Sequence, residues 1–217
     1  MMQSLKLITI LFMKKKALTL AAAVFLGFGI STVNHTEPIH ANTTNHSIAV
    51  AVMKSEKDFI ENYNQKVEAV RHYMFNSVKR QRRNPDDIKL SPEKIVEIAS
   101  AKNFDIPLLL AQAHIESCFG MTSRARRTNS VFSIGAHDNG RNTHVYDTQD
   151  ECIIDYVNII NNKYLSQYDG NVDLMLKNGN FTTKRGRCRY ATNPAYERII
   201  RKMRNKIISQ YPVLIKC

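Results

Sequence analysis

One helix without a polar face constrains the fold of this chain more than any other feature. Residues 106–120 have the sequence IPLLLAQAHIESCFG, in which apolar side chains point in almost every direction around a helix axis. A helix that is apolar all round lies in the protein interior, because other elements must cover it on every side. The pattern therefore predicts a helical globular domain that is built around this segment.

A single carboxylate, Glu116, lies near the end of this helix, and Gly120 offers a left-handed stop after it. Apolar neighbours and the negative end of the helix dipole both disfavour the charged form, so we expect a raised pKa for Glu116. A carboxylic acid that keeps its proton near neutral pH can act as a general acid. Two other interpretations are open, a glutamate that faces solvent or an ion pair with a nearby arginine. The candidate arginines are Arg124, Arg126 and Arg127.

Three segments of the chain carry a family resemblance. Residues 111–120 have the sequence AQAHIESCFG, residues 128–135 TNSVFSIG, and residues 190–196 YATNPAY. They resemble, in the same order, the AQAxxESGxG, NNLFGI and YATDPxYA motifs of the bacterial glucosaminidases of glycoside hydrolase family 73. Residues 145–157 also resemble the helix entry that separates the last two motifs in that family. The resemblance covers roughly residues 91–211 and includes Glu116.

The resemblance implies a lysozyme-like α+β fold that is mostly α, with a helical lobe, a small β-hairpin lobe and a groove between them. Hydrophobic spacing and capping residues predict helices on their own. Ser91 and Asp105 are the predicted caps of the second and third helices, and a hairpin or loop is expected over residues 131–146. The predicted helices cover residues 55–82, 92–102, 106–119, 122–127, 149–163, 172–177 and 194–210.

The N-terminus has the pattern of an export signal. Three lysines after Met13 precede an apolar stretch over residues 17–30, which is typical of a signal peptide, and Met13 is a possible start. We predict a signal peptide over residues 1–41, a linker over 42–54, a helical extension over 55–90 and a catalytic domain over 91–217. Export would place the protein in the periplasm, outside the cell or in the cell wall. An uncleaved membrane anchor is the alternative.

Charge and cysteine spacing indicate which partners to expect. The 31 basic and 19 acidic residues give a formal net charge of +12, which favours polyanions such as anionic cell-wall polymers. Nucleic acid is not expected as a partner, because no binding motif is visible and the signal favours export. The cysteines at 118, 152, 188 and 217 have no CxxC spacing, so we expect no metal and no cofactor. They allow three disulfide pairings, and the protein is expected to be a monomer.

The resemblance also implies roles for particular residues. Glu116 is the expected general acid, Tyr190 matches a tyrosine beside the acid, and Asp138 is a candidate second carboxylate. Asp138 begins an Asp-Asn-Gly turn and has a purely structural interpretation as well. In a mechanism with one acid, the 2-acetamido group of the substrate would act as the nucleophile.

Four further residues are candidates for substrate binding, each with a structural alternative such as core packing or turn capping. They are Gln112, Asn129, Ser130 and Phe132. The resulting hypothesis is an endo-β-N-acetylglucosaminidase that cleaves peptidoglycan glycan strands. The alternatives are a lytic transglycosylase or muramidase of the same superfamily, and a non-catalytic wall-binding protein.

Overall fold

The computed structural model describes residues 42–135, 144–177, 190–191 and 193–215. Helices dominate these residues, which confirms the mostly helical class, and no strand is assigned among them. The predicted β-hairpin is not confirmed, since residues 136–143, with Asp138, lie outside the described residues. The chain divides into two units, Met1–Ile48 and Ala49–Cys217, and the packing described below belongs to the second.

The helices follow the predicted order along the chain. They are α1 (Asn42–Arg80), α2 (Pro92–Ala101), α3 (Ile106–Ser117), α4 (Ser123–Thr128), α5 (Gln149–Ile159), α6 (Val172–Met175) and α7 (Tyr196–Gln210). A π-helical turn over Ile160–Tyr164 and a 3-10 turn over Leu165–Tyr168 extend α5. Two further 3-10 turns cover Pro85–Asp87 and Pro212–Leu214.

Side-chain caps set the starts of α2 and α3 as predicted. The Ser91 hydroxyl accepts from the amide of Lys94 at 3.2 Å, and Asp105 accepts from the amide of Leu108 at 2.6 Å. Each cap satisfies an amide that has no partner within its own helix. The beginning of the buried helix is therefore fixed by Asp105, a residue that also has a second role described below.

The first helix is longer than the sequence pattern indicates. We expected a linker over residues 42–54 and a start near residue 55, but α1 begins at Asn42. The physical reason is that residues 42–54 contain no glycine or proline, so nothing in them interrupts a helix. Farther along α1, Val70, Met74 and Val78 are completely buried, in accord with their helical spacing. None of the described helices is long and apolar enough to cross a membrane.

The third helix forms the centre of the core, as its sequence predicts. Residues 106–113 are all buried, and α7 is the main packing partner of α3. The helix ends earlier than the expected stop at Gly120. Cys118, Phe119 and Gly120 are three consecutive left-handed residues, with φ of 52°, 60° and 80°. This sharp turn brings Phe119 back into the core, where it is fully buried.

An almost buried ion pair joins α7 to the start of α3. Arg204 is 7% exposed and its guanidinium donates to both carboxylate oxygens of Asp105, at 3.1 and 2.7 Å. It also donates to Asp173 of α6 at 2.8 Å. Because this one arginine of α7 contacts both the start of α3 and α6, it fixes how α6 and α7 pack against α3.

We predict that Arg204→Ala lowers the free energy of unfolding by about 3 kcal/mol, since it leaves the Asp105 carboxylate without its partner in a mostly buried site. Urea unfolding followed by circular dichroism measures the change. The control is Arg126→Ala, which breaks an exposed pair with Asp87 at 3.4 Å and should cost less than about 1 kcal/mol. Equal effects of the two substitutions would contradict a special role for Arg204.

Candidate active site

Glu116 lies in the last turn of α3, where its side chain is half-buried. The Tyr196 hydroxyl, from the first turn of α7, donates to Oε1 of Glu116 at 2.6 Å. Ser133, in the loop after α4, lowers the pKa of the same carboxyl group. Glu116 makes no ion pair with any residue that the structure describes, and Arg126 is paired with Asp87 instead. Glu116 is thus held by the neutral hydroxyl of Tyr196.

The pKa of Glu116 is raised above its ordinary value, as the sequence predicts. Burial is the main cause, because it disfavours the carboxylate, while the hydrogen bonds from Tyr196 and Ser133 act in the opposite direction. This balance gives an acid that keeps its proton to a higher pH than an exposed glutamate does. It is the state that general acid catalysis requires.

A chain of hydrogen bonds leads from the core to Glu116. The Tyr156 hydroxyl donates to Oε1 of Gln112, and Nε2 of Gln112 donates to the Tyr196 hydroxyl at 2.9 Å. Because the Tyr196 oxygen accepts from Gln112, its own proton is directed at Glu116. Gln112 is completely buried, so its amide is fixed in this orientation. The hydrogen-bond chain of Tyr156, Gln112 and Tyr196 therefore fixes the orientation of the Glu116 carboxyl group.

The tyrosines of this chain stay neutral. The pKa values of Tyr156 and Tyr196 lie well above the ordinary value, first because the rings are buried. The next cause is the nearby Asp105 for Tyr156 and the nearby Glu116 for Tyr196. A neutral phenol remains a hydrogen-bond donor throughout the physiological pH range. Glu116 is therefore the group whose charge changes within this set.

Tyr190, the predicted neighbour of the acid, lies next to Tyr196. Its ring stacks on that of Tyr196 with centroids 5.7 Å apart, and its hydroxyl donates to the carbonyl of Phe132 at 3.0 Å. These contacts connect the 128–135 segment to α7, which agrees with the packing interpretation. A catalytic role for Tyr190 stays a prediction.

The predicted substrate-binding residues lie mostly behind the surface. Ser130 and Phe132 are 2% and 1% exposed, and Phe132 stacks on Tyr156 with centroids 3.8 Å apart. Asn129 donates its side-chain amide to the carbonyls of Tyr146 and Asp147, at 3.0 and 2.9 Å. Buried side chains have little area to offer a sugar, so this segment supports the site and Gln112 positions the acid.

The sequence pattern missed Tyr196, which hydrogen-bonds to Glu116, and Ser133, which lowers the pKa of Glu116. Both belong to the segments that carry the resemblance, and Tyr196 is the second tyrosine of YATNPAY. That motif offers two tyrosines, and only the packing of α7 on α3 shows which one reaches the acid. Asp138, the candidate second carboxylate, lies outside the described residues.

No metal centre is visible in the part of the chain that the structure describes. Among those residues, no group of three His, Cys, Asp or Glu side chains is arranged to hold a metal ion. Cys118 and Cys152 are free and buried. The remaining two cysteines, Cys188 and Cys217, lie outside the described residues.

The comparisons with known proteins identify the family. A family model described as glucosaminidase, mannosyl-glycoprotein endo-β-N-acetylglucosaminidase, matches residues 92–209, which is more than half of the chain. The chain belongs to the glucosaminidase family. The matched region begins with α2 and includes Glu116, Ser133 and Tyr196, so it contains the site described above. The enzyme is therefore a glycoside hydrolase that acts on peptidoglycan. Comparison with curated proteins found no match.

We predict that Glu116→Gln stabilises this glucosaminidase increasingly as the pH rises. The pKa of Glu116 is raised above its ordinary 4.5 in the folded state, so the unfolded chain loses this proton first and wild-type stability falls as pH increases. Glutamine has no proton to lose and can still accept the hydrogen bond from Tyr196. Urea unfolding of both proteins between about pH 4 and 8 measures the difference. If the free energies of unfolding of the two proteins changed with pH in the same way, burial would not disfavour the charged form of Glu116.

Proposed function

We propose that this glucosaminidase cleaves peptidoglycan glycan strands at N-acetylglucosamine, with Glu116 as the general acid. The observation that carries the proposal is the environment of the Glu116 carboxyl group. Burial raises the pKa of Glu116, and Tyr196 holds one of its oxygens at 2.6 Å. The side chain is nevertheless partly exposed, so its proton can reach a bound substrate.

The reaction that these residues support begins with proton transfer. Glu116 gives its proton to the glycosidic oxygen while the bond from that oxygen to the anomeric carbon breaks. The glutamate then carries a negative charge, which the Tyr196 and Ser133 hydroxyls stabilise by hydrogen bonding. Water later completes the hydrolysis and returns a proton to Glu116.

The positive charge at the anomeric carbon needs a second group. We propose that the carbonyl oxygen of the substrate's own 2-acetamido group attacks this carbon, because the sequence offers only one well-placed acid. Asp138 is the alternative, either as nucleophile or as the base for water. Asp138 begins the sequence Asp-Asn-Gly, which predicts a turn and so explains the residue without a catalytic role.

The position of the YATNPAY segment supports a glucosaminidase over a lytic transglycosylase or muramidase. The lone helix glutamate is common to these enzymes, but the other two do not require a YATDP-like segment. In this chain the segment supplies Tyr196, which contacts Glu116, and Tyr190, which stacks on Tyr196. A non-catalytic wall-binding role would not require a partly buried Glu116 that is oriented by a chain of hydrogen bonds.

The setting of the reaction is part of the proposal. Export through the predicted signal over residues 1–41 would place the enzyme where peptidoglycan is found. The formal net charge of +12 favours anionic wall polymers as additional partners. Loss of wall binding at high salt would test that attraction, because salt screens exposed charges. We propose a monomer that needs no cofactor.

We predict that Glu116→Gln lowers glycan cleavage by about 10²- to 10⁴-fold, the usual contribution of a positioned acid. Turnover of purified glycan strands measures the loss, and circular dichroism checks the fold. Mass spectrometry of the wild-type products should find N-acetylglucosamine at the new reducing ends. The control is Glu61→Gln, which alters an exposed residue of α1 and should not change turnover. Activity within a few-fold of wild type in folded Glu116→Gln would refute the assignment.

We predict that Asp138→Asn loses about tenfold or less, through turn geometry alone, if the acetamido group is the nucleophile. The matched control is Asp169→Asn, which changes an exposed left-handed aspartate in another turn. Both variants are compared with wild type on the same glycan strands. A thousandfold loss confined to Asp138→Asn would instead establish a mechanism with two carboxylates.

A further inference from the structure

Two basic stretches that lie far apart in the sequence meet at one surface pocket. They are residues 79–83 around the end of α1, with the sequence KRQRR, and residues 124–127 of α4, with the sequence RARR. A pocket of about 550 Å³ lies between them, and Arg83 from the first stretch and Arg126 from the second both line it. Folding therefore brings cations from two separate segments to one place.

The other polar side chains of the pocket offer mainly hydrogen-bond donors. The Thr122 hydroxyl accepts from the Ala125 amide at 3.4 Å, and Oδ1 of Asn84 accepts from the Asp86 amide at 3.1 Å. Because these oxygens already accept a hydrogen bond, what the two side chains chiefly offer a ligand is their own hydrogens. Ser123 adds an exposed hydroxyl. Donors therefore come from both sides of the pocket.

The pocket keeps a positive charge. Of the described residues that line it, Asp87 alone is acidic, and its carboxylate pairs with Arg126 at 3.4 Å. Both side chains of this pair are about half-exposed, so the pair is weak and screened by solvent. Arg83 makes no ion pair with any residue that the structure describes. Because a single carboxylate cannot neutralise two guanidinium groups, the pocket attracts an anion.

The distribution of donors fits a phosphate group better than a carboxylate. A carboxylate has two oxygens in one plane, and the fork of a single arginine satisfies both of them. A phosphate group has oxygens in tetrahedral directions, so it can accept from donors that surround it. The pocket supplies two guanidinium groups, two hydroxyls and a side-chain amide. Its volume also leaves room for the groups that are joined to the phosphate in a polymer.

We propose that the pocket between Arg83 and Arg126 binds the phosphodiester groups of an anionic wall polymer. The proposal rests on the proposed attraction of the enzyme to such polymers, and it assigns that attraction to particular residues. None of the residues that line the pocket is a described hydrogen-bond partner of Glu116. The pocket is therefore a second contact with the cell wall, separate from the one at which the glycan is cleaved.

The test measures binding of poly(glycerol phosphate) to the full chain by isothermal titration calorimetry. The double variant Arg83→Gln, Arg126→Gln should bind about tenfold more weakly, because it loses two charge-assisted contacts with phosphate. The matched control is Arg198→Gln, Lys202→Gln, which removes two exposed cations of α7 that do not line the pocket. The control has the same net charge and should bind within about twofold of wild type. Circular dichroism checks the fold of both variants.

A third variant changes the charge of the pocket in the opposite direction. Asp87→Asn removes the carboxylate that repels a bound phosphate, so it should tighten binding about threefold. Unchanged or weaker binding by Asp87→Asn would overturn the proposal. Equal weakening in the arginine double variant and its α7 control would do the same, because it would show that the attraction is spread over the whole surface.

Two other polymers test the assignment to a phosphodiester of the wall. Poly-γ-glutamate offers carboxylates, and a single-stranded oligonucleotide offers phosphodiesters on another backbone. Tighter binding of either one than of poly(glycerol phosphate), through the same two arginines, would overturn the assignment. Binding that depends on the pocket, in a wild-type protein that cleaves no glycan, would refute the proposed cleavage while supporting the pocket.

Discussion

The pairing of α3 with α7 supports every other feature of the site. At one end of α3, Arg204 binds Asp105, and at the other end Tyr196 binds Glu116. The two helices therefore run antiparallel, with polar contacts near both ends and an apolar contact between them. Since Asp105 also caps α3, the residue that starts the helix is the one that fixes its partner.

A conflict between burial and charge gives the acid its properties. The helix that carries Glu116 must be apolar to form the core. An apolar environment raises the free energy of a charged carboxylate. The Tyr196 hydroxyl reduces this cost, and no cation among the described residues pairs with Glu116, so the carboxyl group keeps its proton more readily. A salt bridge at the same place would stabilise the carboxylate and lower the pKa of Glu116. A tyrosine partner therefore preserves the protonated form, whereas an arginine partner would not.

The sequence was sufficient for most helices, for two caps and for the raised pKa of Glu116, because these depend on local patterns. Asp105 and Ser91 cap their helices as predicted, and α3 is buried as its composition requires. Tyr196 could not be chosen over Tyr190, since that choice depends on the rotation of α7 against α3. For Phe132 and Ser130 the sequence allowed a place at the groove or a structural one, because whether a loop side chain faces inward depends on tertiary packing. The start of α1 was misplaced because thirteen weakly patterned residues carry no stop signal.

The turn after α3 has a consequence for how such enzymes diverge. Cys118 and Phe119 adopt left-handed backbone without glycine, and the next residue, Gly120, has the side chain of Gln149 packed against its Cα. A Cβ on Gly120 would lie 2.4 Å from the side-chain nitrogen of Gln149, so a substitution there would displace that side chain and would also strain a backbone with φ of 80°. The first signature glycine is replaced in this chain, whereas replacement of the last one would have this additional cost. A family motif that requires glycine at both positions would exclude this chain, whereas a motif that requires only the glycine at the position of Gly120 would include it.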